Sequence, residues 1–267
     1  MNFKNITLGQ YYPVNSWVHN LDARSKLIAT IVIIGVLFFA SSAMAYGVIA
    51  IFVALAIVVS RVPFAFVLRG VRALVYIILF TFMLNILFAP GEVVLLSLGF
   101  LTITEEGLLW GLQMTTRLIM LLIVSSMLTL TTSPVSLTSA IESLLGPFKK
   151  VGLPVHEIAM MMTIALRFIP TLIEETDKIM KAQMARGASF DTGSIMQRAK
   201  SLIPIIIPLF VSAFRRADDL AMAMEARCYR GDGNRTKMKE LRYGKRDMLA
   251  FGCLVGLIVA VVSISRL

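Results

Sequence analysis

The sequence predicts an all-α integral membrane protein with about five transmembrane helices and a cytoplasmic domain of three amphipathic helices. Of its 267 residues, 57% are hydrophobic and only 16% are charged, whereas soluble domains are nearer half apolar and a quarter charged. Five apolar segments are candidates to cross the hydrocarbon core, which takes about 20 residues of helix. The Lys and Arg residues are concentrated in the connections on one side of those segments.

The five predicted spans are residues 27–40, 45–60, 73–88, 108–130 and 247–265. The first two are short and separated by the small-residue stretch "SSAMAYG". They form either a tight hairpin or one long bent span, and the hairpin is favoured because residues 27–60 far exceed one crossing. The stretch "EVVLLSLGFLTITEE" has a short apolar core interrupted by Gly99, which predicts an interfacial ribbon or loop.

The distribution of positive charge predicts the orientation. Lys and Arg number three in residues 1–26, three in 61–72 and eighteen in 132–246, and none lies in 41–44 or 89–107. Because cytoplasmic loops carry the excess of Lys and Arg, the N-terminus is predicted in the cytoplasm and the C-terminus outside. The same bias explains the net charge of +10 without nucleic acid as a partner. We expect no removable signal peptide, since the N-terminus lacks a short apolar core followed by a cleavage site.

Residues 132–246 are too long and too apolar for an ordinary loop, and they are predicted to contain three helices. The first begins at Ser133-Pro134 and stops at Gly146-Pro147, because a capping residue followed by proline is a typical helix start. The second runs from near Pro154 to Gly187 with a kink at Pro170, and the third from about Ser194 to Cys228 with interruptions at Pro204 and Pro208. Their apolar runs are predicted to be too short to span.

These assignments divide the chain into three domains. Residues 1–131 form an N-terminal membrane domain of four spans, residues 132–246 the cytoplasmic domain, and residues 247–267 a C-terminal span.

A repeat occurs at the ends of the second and third cytoplasmic helices. Both end in the pattern D-x-[IL]-x-x-A-x-x-A-R, which begins at Asp177 and at Asp218. The last positions are Ala185-Arg186-Gly187 and Ala226-Arg227-Cys228. Small residues let a partner approach closely, and a guanidinium offers a planar fork to a carboxylate. An arginine that merely complements the helix dipole, with Gly187 as a C-cap, is the simpler interpretation of one copy. Two copies at equal offsets favour two similar sockets on a dimeric partner.

Three stretches, "GQYYPVNSWVHNLDARSKL", "GPFKKVGLPVHEIAMMMTIALRFIPTLIEE" and the paired "ARG" and "ARC" motifs, resemble the transmembrane T component of energy-coupling factor (ECF) transporters. The resemblance covers nearly the whole chain. Cys228 stands where the family commonly has Gly, and Ala23 where it usually has Pro.

The resemblance implies a multi-pass subunit of the bacterial plasma membrane that takes part in vitamin or micronutrient uptake. In that family, two coupling helices end in X-Arg-X motifs that dock into paired cytoplasmic ATPase subunits, and the membrane helices hold an exchangeable, membrane-embedded S component. The chain itself is then expected to be no enzyme and to bind no cofactor, with ATP and Mg on the partner subunits. Absence of a G-x-x-x-x-G-K-[ST] motif agrees with that expectation.

Methionine is concentrated in the segment that would contact the S component. Flexible, polarisable Met side chains can repack against differently shaped partners, although core filling is about as good an explanation for any one of them. The residues predicted to contact the S component are Met160, Met161, Met162, Met180 and Met184.

Two functions of other classes stay open at this stage, an integral-membrane enzyme and an autonomous secondary transporter. The enzyme would need clustered His, Asp, Glu, Ser or Cys near a span end, and His19 and His156 are isolated in sequence. The transporter would show paired halves with broken helices. Arg117, inside the fourth span, is predicted to anchor to an acid such as Glu142 or Glu157.

Overall fold

The computed structural model describes residues 11–88, 93–98, 101–188, 190, 194–229, 231 and 241–266. The chain divides into two compact units, one of Gly9–Ser143 with Glu240–Leu267 and the other built on Leu144–Lys239. We call the first the membrane unit and the second the paired-helix unit. The predicted domain boundaries near residues 132 and 246 stay predictions.

The membrane unit is a helical bundle with one small β-ribbon. Its elements are α1 (Ala23–Phe39), α2 (Ala43–Ser60), α3 (Phe64–Ala73), α4 (Val75–Phe88), β1 (Val94–Leu98), β2 (Leu101–Thr104), α5 (Glu105–Thr131), α6 (Pro134–Leu145) and α9 (Lys245–Arg266). Helix α6 extends two residues into the other unit. The paired-helix unit contains a 3-10 turn (Gly146–Val151), α7 (Val155–Ala185) and α8 (Ile195–Ala226).

Helix α5 is the centre of the membrane unit, because α1, α2, α3 and α4 all pack against it. It begins at the N-cap Thr104, whose hydroxyl accepts a hydrogen bond from the N–H of Gly107. Two glutamates occupy its first turn, where their negative charges interact favourably with the positive end of the helix dipole. Helix α9 packs on α1 and α2 and closes the core. The largest fully buried apolar side chains of this core are Leu37, Ile49, Val67, Leu130 and Val261.

The prediction of an all-α membrane protein is confirmed, with a two-stranded antiparallel ribbon, β1–β2, where a ribbon or loop was expected. The first two predicted spans are indeed two separate helices. The predicted loop at 61–72 is largely helical instead, because α3 occupies most of it and joins α4 at a bend of 59°. Residues 89–91, at the predicted end of the third span, lie outside the described part of the chain.

Within the described residues, five helices are long and apolar enough to cross a membrane by length and composition, or six if α3 and α4 together form one span. The five differ from the predicted set. Helix α1 has 17 residues and falls just short of that length. Helices α7 and α8 qualify, although their apolar runs were predicted to be too short, because both continue through their internal prolines and add flanking residues to the window.

Arg117 contacts no acid in the described part of the chain, so the prediction of an acid such as Glu142 or Glu157 as its partner was wrong. Its guanidinium donates to the hydroxyl of Tyr46 at 3.1 Å and to the carbonyl oxygen of Ala40 at 3.3 Å. Ala40 is the C-cap of α1, where the carbonyl groups lack helical partners and the dipole favours a cation. Arg117 therefore caps the C-terminal end of α1 at the α1–α2 connection.

A polar cluster at the start of α1 joins distant parts of the membrane unit. Asp22 caps α1 by accepting the N–H of Arg24 at 2.9 Å. The Arg24 guanidinium pairs with Asp22, donates to the Ser143 hydroxyl and the Leu241 carbonyl, and lies over the ring of Tyr243. One side chain thus connects the start of α1, the end of α6 and the segment before α9.

His19 is held in place by hydrogen bonds in this part of the fold. Its Nδ1 lies 2.7 Å from the Ser16 hydroxyl and its Nε2 3.0 Å from the Tyr12 carbonyl oxygen, so both ring nitrogens are used. Desolvation by burial lowers the pKa of His19, and the positive charge of Lys26 adds to that effect. His19 is therefore a structural residue of the segment before α1.

Candidate functional site

Helices α7 and α8 form an antiparallel pair. The contacts that join them include Gln183 with Pro204 and Glu175 with Arg216, and His156 lies near Tyr229, just beyond the end of α8. As residue numbers fall along α7 they rise along α8, which fixes the antiparallel direction. The end of each helix therefore lies beside the beginning of the other.

The prolines of α8 help to fix this pairing. Pro208 has no N–H, so the carbonyl oxygen of Pro204, four residues earlier, loses its helical partner. Gln183 replaces that partner, because its side-chain Nε2 donates to the Pro204 oxygen at 3.4 Å. The predicted interruption at these prolines is not observed, since α8 runs continuously from Ile195 to Ala226.

The end of α7 is a Schellman cap. Arg186 is the C-cap, the N–H of Gly187 donates to the carbonyl of Met184 at 2.9 Å, and that of Ala188 donates to Gln183 at 3.0 Å. These two bonds define the motif, which requires a left-handed residue after the C-cap. Gly187 supplies it with a φ of 88°.

The end of α8 repeats that cap bond for bond. Arg227 is the C-cap, the N–H of Cys228 donates to the carbonyl of Glu225 at 2.8 Å, and that of Tyr229 donates to Met224 at 3.0 Å. Cys228 takes the left-handed position with a φ of 55°. A residue with a Cβ is strained in this conformation, where glycine is not.

Both arginines lie at these helix ends with no partner in the described part of the chain. Arg186 and Arg227 are exposed, and neither guanidinium makes a hydrogen bond or ion pair with the residues that the structure describes. The residues around them are small and also exposed: Ala182, Ala185, Gly187, Ala223, Ala226 and Cys228. Each helix end thus presents several small exposed side chains beside one arginine that is unpaired within the described residues.

The antiparallel pairing separates these two surfaces. Helix α7 has 31 residues, which at 1.5 Å per residue is a length of roughly 46 Å. Arg186 lies at one end of the pair and Arg227 at the other, so a partner that engages both must present two sockets a comparable distance apart.

The shared cap gives a prediction about local stability. Gly187→Ala introduces a Cβ at a positive φ and should destabilise the end of α7 by about 1 kcal/mol, while Cys228→Gly should stabilise the end of α8 by a similar amount. Amide hydrogen exchange at Ala188 and Tyr229 measures this, and about 1 kcal/mol is roughly a fivefold change. Cys228→Ala is the control, because it keeps the Cβ. If amide hydrogen exchange is equally fast in Gly187→Ala and in the unmodified chain, the end of α7 is not stabilised by a Schellman cap that requires glycine.

Comparison with known proteins identifies the family. The chain matches the cobalt transport protein family, CbiQ, over residues 14–238. It is 54% identical over 254 residues to the energy-coupling factor transporter transmembrane protein EcfT of Acidaminococcus fermentans, covering 95% of this chain and 94% of that relative. The EcfT proteins of Thermosediminibacter oceani and Bacillus subtilis are 55% and 45% identical, over 93% and 90% of this chain and 93% and 91% of their own lengths. The chain belongs to the EcfT family.

Membership in the EcfT family confirms the resemblance drawn from the sequence. The chain is therefore a transmembrane component of an energy-coupling factor transporter, and a membrane subunit of a transporter rather than an enzyme. It is a multi-pass membrane protein, as its apolar helices also indicate.

The methionines predicted to contact the S component of an EcfT protein fall into two groups on α7. Met160, Met161 and Met162 lie near the start of the helix, beside the Arg227 end of the pair, and Met161 is 58% exposed. Met184 lies near the Arg186 end and is 49% exposed, whereas Met180 is buried. Met180 therefore packs inside this chain, and contact with a partner stays a prediction for the other four methionines.

Sequence reasoning found the two arginine motifs but missed how they are arranged. The antiparallel pairing rests on contacts 21 to 73 residues apart in sequence, which no local pattern reveals. The opposite charges of Glu175 and Arg216 are a signal that could have suggested it. Among the described residues, no group of three or more His, Cys, Asp or Glu side chains could hold a metal ion.

Proposed function

We propose that this chain is the membrane scaffold and coupling subunit of an ECF-type ATP-binding cassette transporter for a vitamin or another micronutrient. Arg186 and Arg227 dock into a pair of cytoplasmic ATPase subunits, which bind ATP and Mg. The paired helices carry the ATP-driven motion of those subunits to a membrane-embedded S component that binds the substrate. The observation that supports this most strongly is the matching pair of exposed arginine caps at opposite ends of α7 and α8.

The geometry of the pair suits two sockets on two similar subunits. Because each end has the same cap, the same small neighbours and one free guanidinium, one kind of carboxylate-containing groove can accept either end. Arginine is suited to this role because its planar fork binds a carboxylate through two parallel hydrogen bonds. An isologous pair of ATPase subunits would present that groove twice.

The exposed apolar residues of α8 supply a second surface for the S component. They are Ile206, Ile207, Phe210, Val211 and Phe214, each between 45% and 62% exposed. Contiguous apolar exposure of this kind marks a protein or membrane contact. With the exposed Met161, Met162 and Met184 and the half-buried Met160 of α7, it offers an adaptable apolar face to exchangeable S components.

Copurification and reconstituted transport test this function. We expect the tagged chain to be isolated with two ATPase subunits and one small membrane protein, and the complex in liposomes to take up substrate only with ATP. The chain alone should neither transport nor hydrolyse ATP. Transport by the isolated chain would instead identify an autonomous secondary carrier.

The orientation proposed for this function places the N-terminus and both arginine motifs in the cytoplasm and the C-terminus outside. It rests on the 24 of 26 Lys and Arg residues found on one side of the predicted spans. We expect a reporter fused after Leu267 to be extracytoplasmic and one inserted near Gly233 to be cytoplasmic; both positions lie outside the described residues. Reporters on the same side would contradict the predicted topology.

A further inference from the structure

Two adjoining cavities open on the membrane unit. The first, of about 470 Å³, is bounded by apolar side chains of α1, α2, α5 and α9. The second, of about 430 Å³, is polar and includes Asn15, Asn20, Arg61 and Arg246. Trp17 and Val59 line both cavities, so the polar and apolar cavities lie side by side.

The polar cavity presents two arginines whose charge is unmatched within this chain. Arg61 ends α2 and Arg246 lies in the first turn of α9. Neither guanidinium makes a hydrogen bond or ion pair with the residues described, and no acidic residue lines this cavity. Two guanidinium groups that line one cavity, with no carboxylate among its lining residues, are suited to a phosphate group.

The apolar cavity contains a buried polar group without a partner. Ser25 is 3% exposed and lines this cavity, yet its hydroxyl has no hydrogen-bond partner among the residues that the structure describes. Lys26 lines the same cavity and donates to the carbonyl oxygens of His19 and Thr131, both at 2.9 Å. Buried polar groups are almost always hydrogen-bonded, so the unpartnered hydroxyl points to a bound molecule that carries an oxygen acceptor.

We propose that the two cavities form one binding site for an anionic phospholipid. The phosphate lies between Arg61 and Arg246, one acyl chain fills the apolar cavity, and Ser25 donates to an oxygen that joins headgroup and chain. The bound lipid connects the end of α2 to the beginning of α9. This site does not depend on the proposed coupling function.

A lipid is favoured because the site combines the features of a membrane interface. Tryptophan is enriched at the headgroup level of bilayers, and Trp17 stands where the polar and apolar cavities meet. Anionic lipids give the cytoplasmic leaflet its negative potential, and Arg61 and Arg246 both lie in segments predicted to be cytoplasmic. The apolar volume lies within the range of about 300–1,000 Å³ for ligand pockets in proteins.

Native mass spectrometry of the full chain, purified in its complex and titrated with lipid, tests the proposal. The probes are phosphatidylglycerol, phosphatidylcholine with the same acyl chains, and inorganic phosphate. We expect a preference for phosphatidylglycerol that falls about tenfold or more in Arg61→Ala and in Arg246→Ala, since each removes a charge-assisted contact. Arg72→Ala is the matched control, because this exposed arginine lines neither cavity, and it should keep the preference.

Filling the apolar cavity tests the acyl-chain part separately. Ala56→Phe should reduce binding of both lipids. Val59→Trp should do the same without disturbing the packing of the core, because Val59 is 44% exposed. Equal binding of the two lipids, or an unchanged preference in both arginine variants, would overturn the proposal. Retention of inorganic phosphate in place of lipid would also overturn it. A photo-crosslinker placed at Trp17 should label a lipid in native membranes, and labelling of a protein instead would overturn the proposal as well.

Discussion

Replacing both Arg186 and Arg227 with alanine is expected to abolish ATP-driven substrate uptake by the assembled transporter. Each guanidinium is exposed and unpaired within the described residues, so docking on a carboxylate is its main interaction in the proposed complex. Truncating one partner of such an interfacial pair costs about 2–5 kcal/mol, because the other charge is left buried and unpaired. At 1.4 kcal/mol for a factor of ten, the loss at one end is at least about 25-fold in affinity.

The single variants should be less severe than the double variant. Arg186→Ala or Arg227→Ala leaves the other helix end docked, and the remaining contact keeps the weakened end at high effective concentration. Uptake should fall while the ATPase subunits still copurify. Lysine should restore little at either position, because it keeps the charge and loses the planar fork.

Uptake in liposomes and ATPase copurification measure these effects. The matched control is Arg198→Ala, since Arg198 is exposed on α8 and its side chain is unpaired within the described residues. If the double variant transports at the rate of the unmodified complex, the two caps terminate their helices but do not dock on the ATPase subunits.

Asp247→Ala is expected to give the largest loss of stability. Asp247 is 4% exposed. Its Oδ1 accepts the N–H of Asp22 at 2.9 Å, and its Oδ2 accepts that of Gly244 at 2.8 Å. Alanine leaves the buried N–H of Asp22 without a partner, which costs about 1–3 kcal/mol, whereas the exposed Gly244 can bind water instead. We therefore expect a loss of about 1–3 kcal/mol in the free energy of unfolding.

Thermal unfolding of the purified chain measures this loss. Asp247→Asn should be intermediate, because its amide oxygen keeps one acceptor while its NH₂ faces a donor. Asp219→Ala is the control, since Asp219 is exposed and such surface changes usually stay within about 0.5 kcal/mol. If Asp247→Ala unfolds like Asp219→Ala, the carboxylate does not hold α9 to the segment before α1.

The sequence predicted those parts of the fold that depend on local patterns. Apolar length located α5 and α9 to within three residues of their ends, and capping chemistry located the start of α6, where the Ser133 hydroxyl accepts the N–H of Ser136. The start of α3 gave a weaker signal, because its N-cap is Pro63 and no side chain caps it.

Long-range contacts were not predictable in the same way. Asp22 is recognisable as a cap, but its bond to Asp247 joins residues 225 apart in sequence. For Arg117 the sequence suggested an acid, whereas the bundle supplies a helix-end carbonyl and a phenol hydroxyl. For the candidate site, the repeat identified which residues matter, and only the antiparallel packing of α7 and α8 showed that the two arginines lie at opposite ends.

The most direct test of the coupling function is photo-crosslinking from each helix end in the assembled transporter. Ala185 and Ala226 are exposed and directly precede the two arginines, so a photoreactive amino acid can replace either one without removing a guanidinium. We predict that both positions label ATPase subunits, and that the two positions label different copies. Labelling of one copy from both positions, or of the S component alone, would contradict the proposal that each end docks on its own ATPase subunit.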